Sequence, residues 1–379
     1  MKFFLNTPLI TAYEKKYVNN AINSGWISVN GKYNKLFEKK FGLIIKKKNN
    51  ITVQSGTSAL HLALKALGAQ KGTKIIIPNY SCSANISSVS QCSSTAIIVE
   101  VEKDTLGLDY ELVKLAIDKY KPKILQLVHI YGFPARDTEK IVKLCKKKNI
   151  VIIEDASEAL GAKINDRNIG SYGDISIFSL RSEKMIGVGE GAVISTNNNH
   201  YFSKIELLAN RNMPYRTKKN PYWMKYISHG EGYNYLMPHV LGAFGYGQLK
   251  NLNKIIKKKI LIGKLYRKIF HEFNFTQKII KSHKNVFWLN SIIFKDFSIE
   301  KVRKIGCFIE KRGVEVRPGF WPLINTPLVK KFFVRNKYLK ISDEIYKKSL
   351  VLPSNINLNV NDINNIKNIV KTAIKKFSK

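Results

Sequence analysis

Cysteine, acidic side chains and long apolar runs are all scarce in this chain. Only four cysteines occur in 379 residues: Cys82, Cys92, Cys145 and Cys307. None form a CxxC pair, and their spacing suggests neither a zinc site nor a disulfide framework. No metal is expected, and a reducing cytoplasm is the simplest setting. No apolar run reaches the ~20 residues that cross a bilayer, so no membrane partner is expected. The stretch Met1 to Pro8 is too short in apolar residues for a secretory signal. Asp plus Glu total 27 against 64 Lys plus Arg, a formal net charge of +37.

A charge this large raises nucleic-acid binding or a regulatory role as one function class. The lysines, however, are spread along the chain. Many fall on solvated helix faces, such as Lys146, Lys147 and Lys148 or Lys257, Lys258 and Lys259. Richness in Asn and Ile points to a compositional bias. Nucleic acid is therefore not the expected partner, but the positive field favours an anionic substrate. With 44% hydrophobic residues, the chain reads as globular and long enough for two domains.

From residue 51 the pattern is regular. Strands are expected at Ile51 to Gln54, Lys74 to Pro78, Thr95 to Val101, Ile124 to Val128, Ile150 to Ile153, Ile175 to Phe178 and Ala192 to Ser195. Helices are expected at residues 9–24, Asn34 to Phe41, Thr57 to Leu67, Ser81 to Ser90, Tyr110 to Lys119 and Asp137 to Lys148. This alternation predicts an α/β fold: a mostly parallel sheet with helices on both faces, and ligands at the carboxyl ends of the strands. Residues 211–237 read as irregular and aromatic, with Tyr215, Tyr222, Trp223, Tyr226, Tyr233 and Tyr235. A long helix over 239–272 follows. Strands at Val286 to Phe294 and Val314 to Arg317, with helices at Ile299 to Arg312 and Val360 to Phe377, suggest a smaller α+β C-terminal domain. The expected division is 1–245, a large α/β domain with an N-terminal arm, and 246–379, the small domain.

Three constellations bear chemistry. Ser55-Gly56-Thr57-Ser58 lies between a strand and a helix, where free N–H groups and the helix dipole favour an anion; an ordinary N-cap accounts for it equally well. His61, on that helix, reads as packed rather than catalytic. Glu154-Asp155 closes an apolar strand and places a carboxylate over the ligand crevice, with either acid free to be the solvated one. The third is the turn from Phe178 through Lys184 to Gly191. A lysine held in a tight turn beside a sheet becomes nucleophilic when desolvation or nearby charge lowers its pKa. Together, a phosphate pocket, a strand-end acid and a glycine-flanked lysine are the parts of a pyridoxal phosphate site.

In that order the motifs resemble the DegT/DnrJ/StrS family of sugar aminotransferases, which have the fold-type I pyridoxal phosphate architecture. The resemblance runs from Pro8 to about Ser354. It rests on GWIS from Gly25, SGTSALHLAL from Ser55, IEDASEALGA from Ile153, the Lys184 turn, GYNY from Gly232 and VRPGFWP from Val316. Within the family, VHIYGFPA from Val128 and GYNY are most similar to enzymes that aminate carbon 4 of a GDP-linked 4-keto-6-deoxyhexose.

The resemblance implies Lys184 as the Schiff-base lysine and proton shuttle. Asp155 would partner the pyridine nitrogen. Gly56, Thr57, Ser58 and Ser179 would form the phosphate pocket, and Glu158 would stand near the cofactor's ring hydroxyl. Asn234 would reach the cofactor of the neighbouring subunit, making a homodimer obligatory. Trp26, Ser28, Tyr131, Arg317 and Trp321 would line the nucleotide-sugar site. It also implies L-glutamate as amino donor and GDP-4-keto-6-deoxymannose as first acceptor, with UDP- or dTDP-linked 4-keto-6-deoxyglucose as the alternative.

Three positions depart from the family pattern. Cys82 stands where an aromatic residue commonly stacks on the cofactor, so stacking is weaker or comes from Tyr80. Leu236 replaces an arginine and Ile324 a histidine, so the nucleotide and the sugar stay open.

Overall fold

A computed structural model of the chain describes residues 1–214, 220–327, 330–334 and 340–377. Tyr215 lies outside them. Two helices open the chain, α1 (Ala12–Asn23) and α2 (Lys32–Ile45). Thr11 and Glu14 form a capping box at the start of α1, which satisfies N–H groups that a helix cannot pair internally.

The α/β unit follows as β1 (Asn49–Val53), α3 (Gly56–Ala66), β2 (Lys74–Pro78), α4 (Ser83–Gln91), β3 (Thr95–Val99), α5 (Tyr110–Tyr120), β4 (Ile124–Val128), α6 (Thr138–Lys147) and β5 (Val151–Asp155). The short strands β6 (Lys163–Ile164) and β7 (Arg167–Asn168) precede β8 (Ile175–Ser179), β9 (Ala192–Thr196) and α7 (Asn199–Ala209). The remainder comprises α8 (His239–Ile269), β10 (Asn274–Phe275), β11 (His283–Lys284), β12 (Asn290–Ile293), α9 (Ile299–Glu310), β13 (Lys331–Val334), α10 (Ile341–Lys348), β14 (Ser349–Leu352) and α11 (Val360–Phe377).

The large sheet has the order β1-β9-β8-β5-β4-β2-β3-β13. The pairs from β8 through β13 are parallel, while β9 is antiparallel to both β8 and β1. Strands β3 and β4 are buried at every position, as expected for a sheet covered on both faces. The expected α/β class with a mostly parallel sheet is what the chain adopts.

A second sheet, β10-β12-β14, packs with α9 and α11 around Ile305, Ile309, Ile363, Ile366 and Val370. Helix α8 joins the two layers. Its 31 residues span about 46 Å at 1.5 Å per residue. Its first half packs on α1 and α2, and its second half carries Ile262 and Tyr266 into the C-terminal core. It runs unbroken across 245/246. One later strand also returns to the large sheet, since β13 pairs in parallel with β3 at its edge.

The expected strand over Val286 to Phe294 is shorter than its apolar run. Residues 286–289 instead form a bend that docks on Gly132, with Val286 N–H donating to the Gly132 carbonyl at 2.9 Å. Val314 to Arg317 makes two isolated bridges, to Phe3 and to Val351, rather than a strand. Among the described residues no helix is long and apolar enough to cross a membrane.

Candidate active site

The carboxyl ends of β4, β5 and β8 and the N-terminal ends of α3 and α4 enclose a cavity of about 440 Å³. Period-two alternation decides which acid of β5 faces it. Asp155 lines the cavity; its Oδ2 accepts from Asn85 Nδ2 at 3.0 Å and its Oδ1 from Ser157 N–H at 3.1 Å. Asn85 also donates to Gln126 Oε1 at 2.9 Å. The carboxylate is thus fixed from the α4 side.

Glu154 points to the opposite face. It accepts from the N–H groups of Gly170, Tyr172 and Gly173 at 2.6–2.7 Å and pairs with His129 Nε2 at 3.2 Å. Burial acts to raise its pKa, but the His129 contact and the backbone donors outweigh it and hold the carboxyl below the usual range.

Lys184 enters from the turn between β8 and β9. That turn is closed on itself: Ser182 N–H donates to Gly189 O, Val188 N–H to Leu180 O and Lys184 N–H to Arg181 O, at 2.8–2.9 Å. Position 187 must be glycine, because a Cβ there would run into the Ser182 carbonyl. The Lys184 ammonium lies 3.1 Å from Glu158 Oε1 and 3.7 Å from the centre of the Trp288 ring. Glu158 accepts from Tyr131 N–H at 2.9 Å through its other oxygen. Burial raises the Glu158 pKa, opposed by the Lys184 charge and the Tyr131 N–H.

At the other end of the cavity, Ser55 caps α3 by accepting from Ser58 N–H at 3.1 Å. Gly56 and Thr57 are the first residues of that helix, whose N–H groups have no intrahelical partner. A Cβ on Gly56 would sit 3.4 Å from Ser179 Cβ, so the α3 terminus and the end of β8 close together. Ser179 N–H donates to Ser157 Oγ at 3.1 Å.

Of the residues expected from sequence, Gly56, Thr57, Cys82, Asp155, Glu158, Ser179, Lys184 and Arg317 line this one cavity. Ser58 is buried behind it, its hydroxyl 2.8 Å from Ser55 Oγ. Tyr131 is 2% exposed and lies one layer back, its ring stacked on Phe320 at 5.4 Å. Tyr80 is buried too, its hydroxyl 3.2 Å from that of Tyr131. The rings that face the cavity beside Cys82 are Phe320 and Trp288. Trp26, Ser28, Asn234 and Trp321 are exposed and do not line the cavity of the single chain. Leu236 and Ile324 also lie off it, packed against the core: Leu236 bridges to Val53 of β1 and Ile324 N–H donates to Asn79 Oδ1 at 3.0 Å. His61 is packed against Tyr233, as expected.

Sequence reasoning missed Asn85 and Trp288. The polar Asn85 at the start of α4 was a weak signal for the first; nothing local marks the second.

These residues fit pyridoxal phosphate. A helix terminus and hydroxyls suit the phosphate, a strand-end carboxylate suits a protonated ring nitrogen, and one amine faces the same space.

The DegT/DnrJ/EryC1/StrS aminotransferase family matches residues 8–371, and the chain belongs to it. It is a pyridoxal phosphate-dependent sugar aminotransferase. Among curated relatives, GDP-perosamine synthase of Vibrio cholerae is 32% identical over 96% of this chain and 97% of its own. GDP-perosamine synthase of Escherichia coli O157:H7 is 31% identical over 92% of each. Among solved structures, the Helicobacter pylori aminotransferase of pseudoaminic acid biosynthesis superposes with a TM-score of 0.88 at 24% identity, covering 100% of both chains. The E. coli GDP-4-keto-6-deoxy-D-mannose-3-dehydratase with bound hydrated PLP gives 0.88 at 21% identity, covering 98% of this chain and 99% of its own.

Proposed function

We propose that the chain transfers the amino group of L-glutamate to the 4-keto carbon of a nucleotide-linked 4-keto-6-deoxyhexose, with GDP-4-keto-6-deoxymannose as the preferred acceptor and GDP-perosamine as the product. The observation that carries this reading is the joint placement of Lys184, Asp155 and Glu158 around one cavity, in a chain about 30% identical to GDP-perosamine synthases over nearly its whole length.

The bound cofactor supplies an aldehyde that condenses with amines and a ring that takes up electrons when a neighbouring proton leaves. Lys184 would hold that group through its ε-amine. With the donor bound, the same amine would take the proton from the donor's α-carbon and give it back, a transfer favoured by its fixed reach. Asp155, held by Asn85 and Ser157, would keep a proton on the ring nitrogen. Gly56, Thr57 and Ser179 would bind the phosphate. Arg317 at the cavity wall offers a cation to the acceptor's diphosphate.

A homodimer in the cytoplasm completes the reading. Trp26, Tyr222, Trp223 and Tyr226 are 55–73% exposed, and exposed apolar groups of this size mark interaction surfaces. Pairing through this face would bring Trp26, Ser28 and Asn234 of one subunit to the cavity of the other, with Trp321 at the nucleotide.

A UDP-linked acceptor is the second reading. It is favoured by the 28% identity to UDP-4-amino-4,6-dideoxy-N-acetyl-beta-L-altrosamine transaminase of Campylobacter jejuni. Amination of GDP-, UDP- and dTDP-linked 4-keto-6-deoxy sugars, assayed side by side with L-glutamate, decides between them. The GDP sugar is expected to have the highest kcat/KM; a tenfold preference for either other nucleotide would reverse the assignment.

A further inference from the structure

The bend at residues 286–289 is held with unusual care for a connection. Phe287 has a φ of +49°, a left-handed conformation that costs a bulky side chain energy and persists only where neighbours enforce it. Val286 N–H and Leu289 N–H donate to Gly132 O and Tyr131 O, and the Phe287 side chain packs directly over Gly263 of α8, where a Cβ would collide with its ring. The product of this geometry is the placement of Trp288, which is 3% exposed. Its indole N–H donates to the Glu183 carbonyl at 2.6 Å, one residue before Lys184, and its ring face meets the Lys184 ammonium at 3.7 Å.

Lys259, fully buried on α8, holds the Trp288 backbone. Its ammonium donates to Trp288 O at 3.0 Å and Ser354 O at 2.6 Å, with no carboxylate partner among the described residues. Burying a cation without a counter-ion is costly. Here it ties the bend to the 354 turn, where Asn290 Nδ2 donates to Ser354 Oγ at 2.9 Å and Ser354 N–H to Leu5 O at 2.7 Å.

We propose that Trp288 is a further active-site residue of the amination: its ring face, together with the Glu158 carboxylate, seats the free ε-amino group of Lys184 and stabilises the ammonium it becomes on taking the donor's proton, and Lys259 is the positioning residue that fixes the ring. The inference rests on the reading of Lys184 given above. An ammonium between an aromatic face and a carboxylate, both shielded from water, is held more strongly than by either alone. The seat keeps the displaced amine within reach of the reacting carbon instead of leaving it to swing through the cavity. A purely structural tryptophan would affect stability and leave Lys184 untouched.

The test uses the full-length, cofactor-loaded protein. With L-glutamate alone, the spectral conversion of the cofactor should run ~30-fold slower in Trp288→Leu, the factor that a desolvated cation–π contact is worth. The glutamate concentration for half-maximal rate should shift less than about threefold, because the ring does not bind the donor. Trp288→Phe keeps a ring face and should stay within about fivefold of the parent. Lys259→Met should fall between the two; an unchanged rate would overturn the part assigned to Lys259.

A second readout does not depend on turnover or on a variant that must fold. Tryptophan fluorinated on its benzo ring keeps its shape and N–H but has a weaker ring face. The other tryptophans, Trp26, Trp223 and Trp321, are at least half exposed; none lines the cavity of the single chain, and the pairing proposed above brings Trp26 and Trp321 to the sugar nucleotide rather than to Lys184. In the full-length protein whose bound cofactor has been aminated by excess donor, where Lys184 is free, acylation of Lys184 by an N-hydroxysuccinimide ester, followed by mass spectrometry, should quicken ~10-fold on fluorination. Unchanged acylation, or a Trp288→Leu protein that folds and converts cofactor at the parent rate, overturns the proposal. If Lys184→Ala retains turnover, the reading beneath it fails instead.

Discussion

Two carboxylates leave the end of β5 side by side and meet opposite fates. Glu154 is saturated: three backbone N–H groups and His129 take up both oxygens. Ala135 N–H donates to His129 Nδ1 at 3.0 Å, so the ring proton sits on Nε2 and points at Glu154. This charge is spent on holding the 170–173 turn against β5. Among the described residues Asp155 accepts from Asn85 and Ser157 alone, and it opens onto the cavity. Glu158 likewise divides itself between Tyr131 N–H and Lys184. Saturated buried charge builds the frame, and charge left partly unsatisfied faces the ligand.

Substitutions can break or sharpen this contrast. The largest effect is expected at Lys184. Lys184→Ala should lower amination by at least ~10⁴-fold; it leaves the buried Glu158 carboxyl without its cation, a loss of stability that Glu158 limits by taking up a proton, its pKa already raised by burial. Glu154→Ala should do the reverse. It leaves three backbone donors and His129 unpaired in the interior, at a cost of roughly 3–5 kcal/mol in denaturant unfolding. Turnover per folded molecule should stay within about threefold. Asp155→Asn should cut kcat by ~10²–10³-fold through the lost charge while leaving stability nearly unchanged. If Asp155→Asn unfolds the protein and Glu154→Ala spares it, the roles assigned to the two acids are exchanged.

The smallest effect concerns Glu38, an intermediate case. It accepts from Thr52 N–H and Oγ1, each at 2.8 Å, and has no ion-pair partner among the described residues. Burial lifts its pKa from 4.5 to about 7. The folded state therefore prefers the protonated form, and the group costs stability as pH rises from 4.5 to 7, with the full cost present above 7. Glu38→Gln removes that titration. Its stability relative to the parent should increase by about 1–2 kcal/mol between pH 5 and pH 8, a range reduced for the side chain's partial exposure. A pH-independent difference would contradict the assignment.

The parts legible in sequence were those carried by local pattern. Lys74–Pro78, Ile124–Val128 and Val360–Phe377 form the elements expected at the same boundaries, because their apolar periodicity and burial agree. Glycine, hydroxyl, acid and lysine at strand ends were legible because chain order on a parallel sheet fixes where strand ends meet. Partnerships across long separations were not. β13 adds to the edge of β3 from more than 230 residues away, and α7 forms where no element was expected, between the strand ending at Ser195 and the irregular stretch from 211. Trp288 looked like one more apolar residue of a strand; the bend at Phe287 that turns it toward Lys184 exists only because Gly132 and Gly263 let it dock. Tyr131 shows the converse. Its motif is intact, yet Phe320 covers its ring.

The central claim is that one amine, that of Lys184, carries the cofactor. Borohydride reduction of the cofactor-loaded protein fixes the cofactor covalently to whichever amine holds it, and peptide mass spectrometry then locates it. The account predicts a single phosphopyridoxyl group on the peptide containing Lys184. The same group on any other lysine, or its absence from a protein that still aminates its sugar, would contradict it.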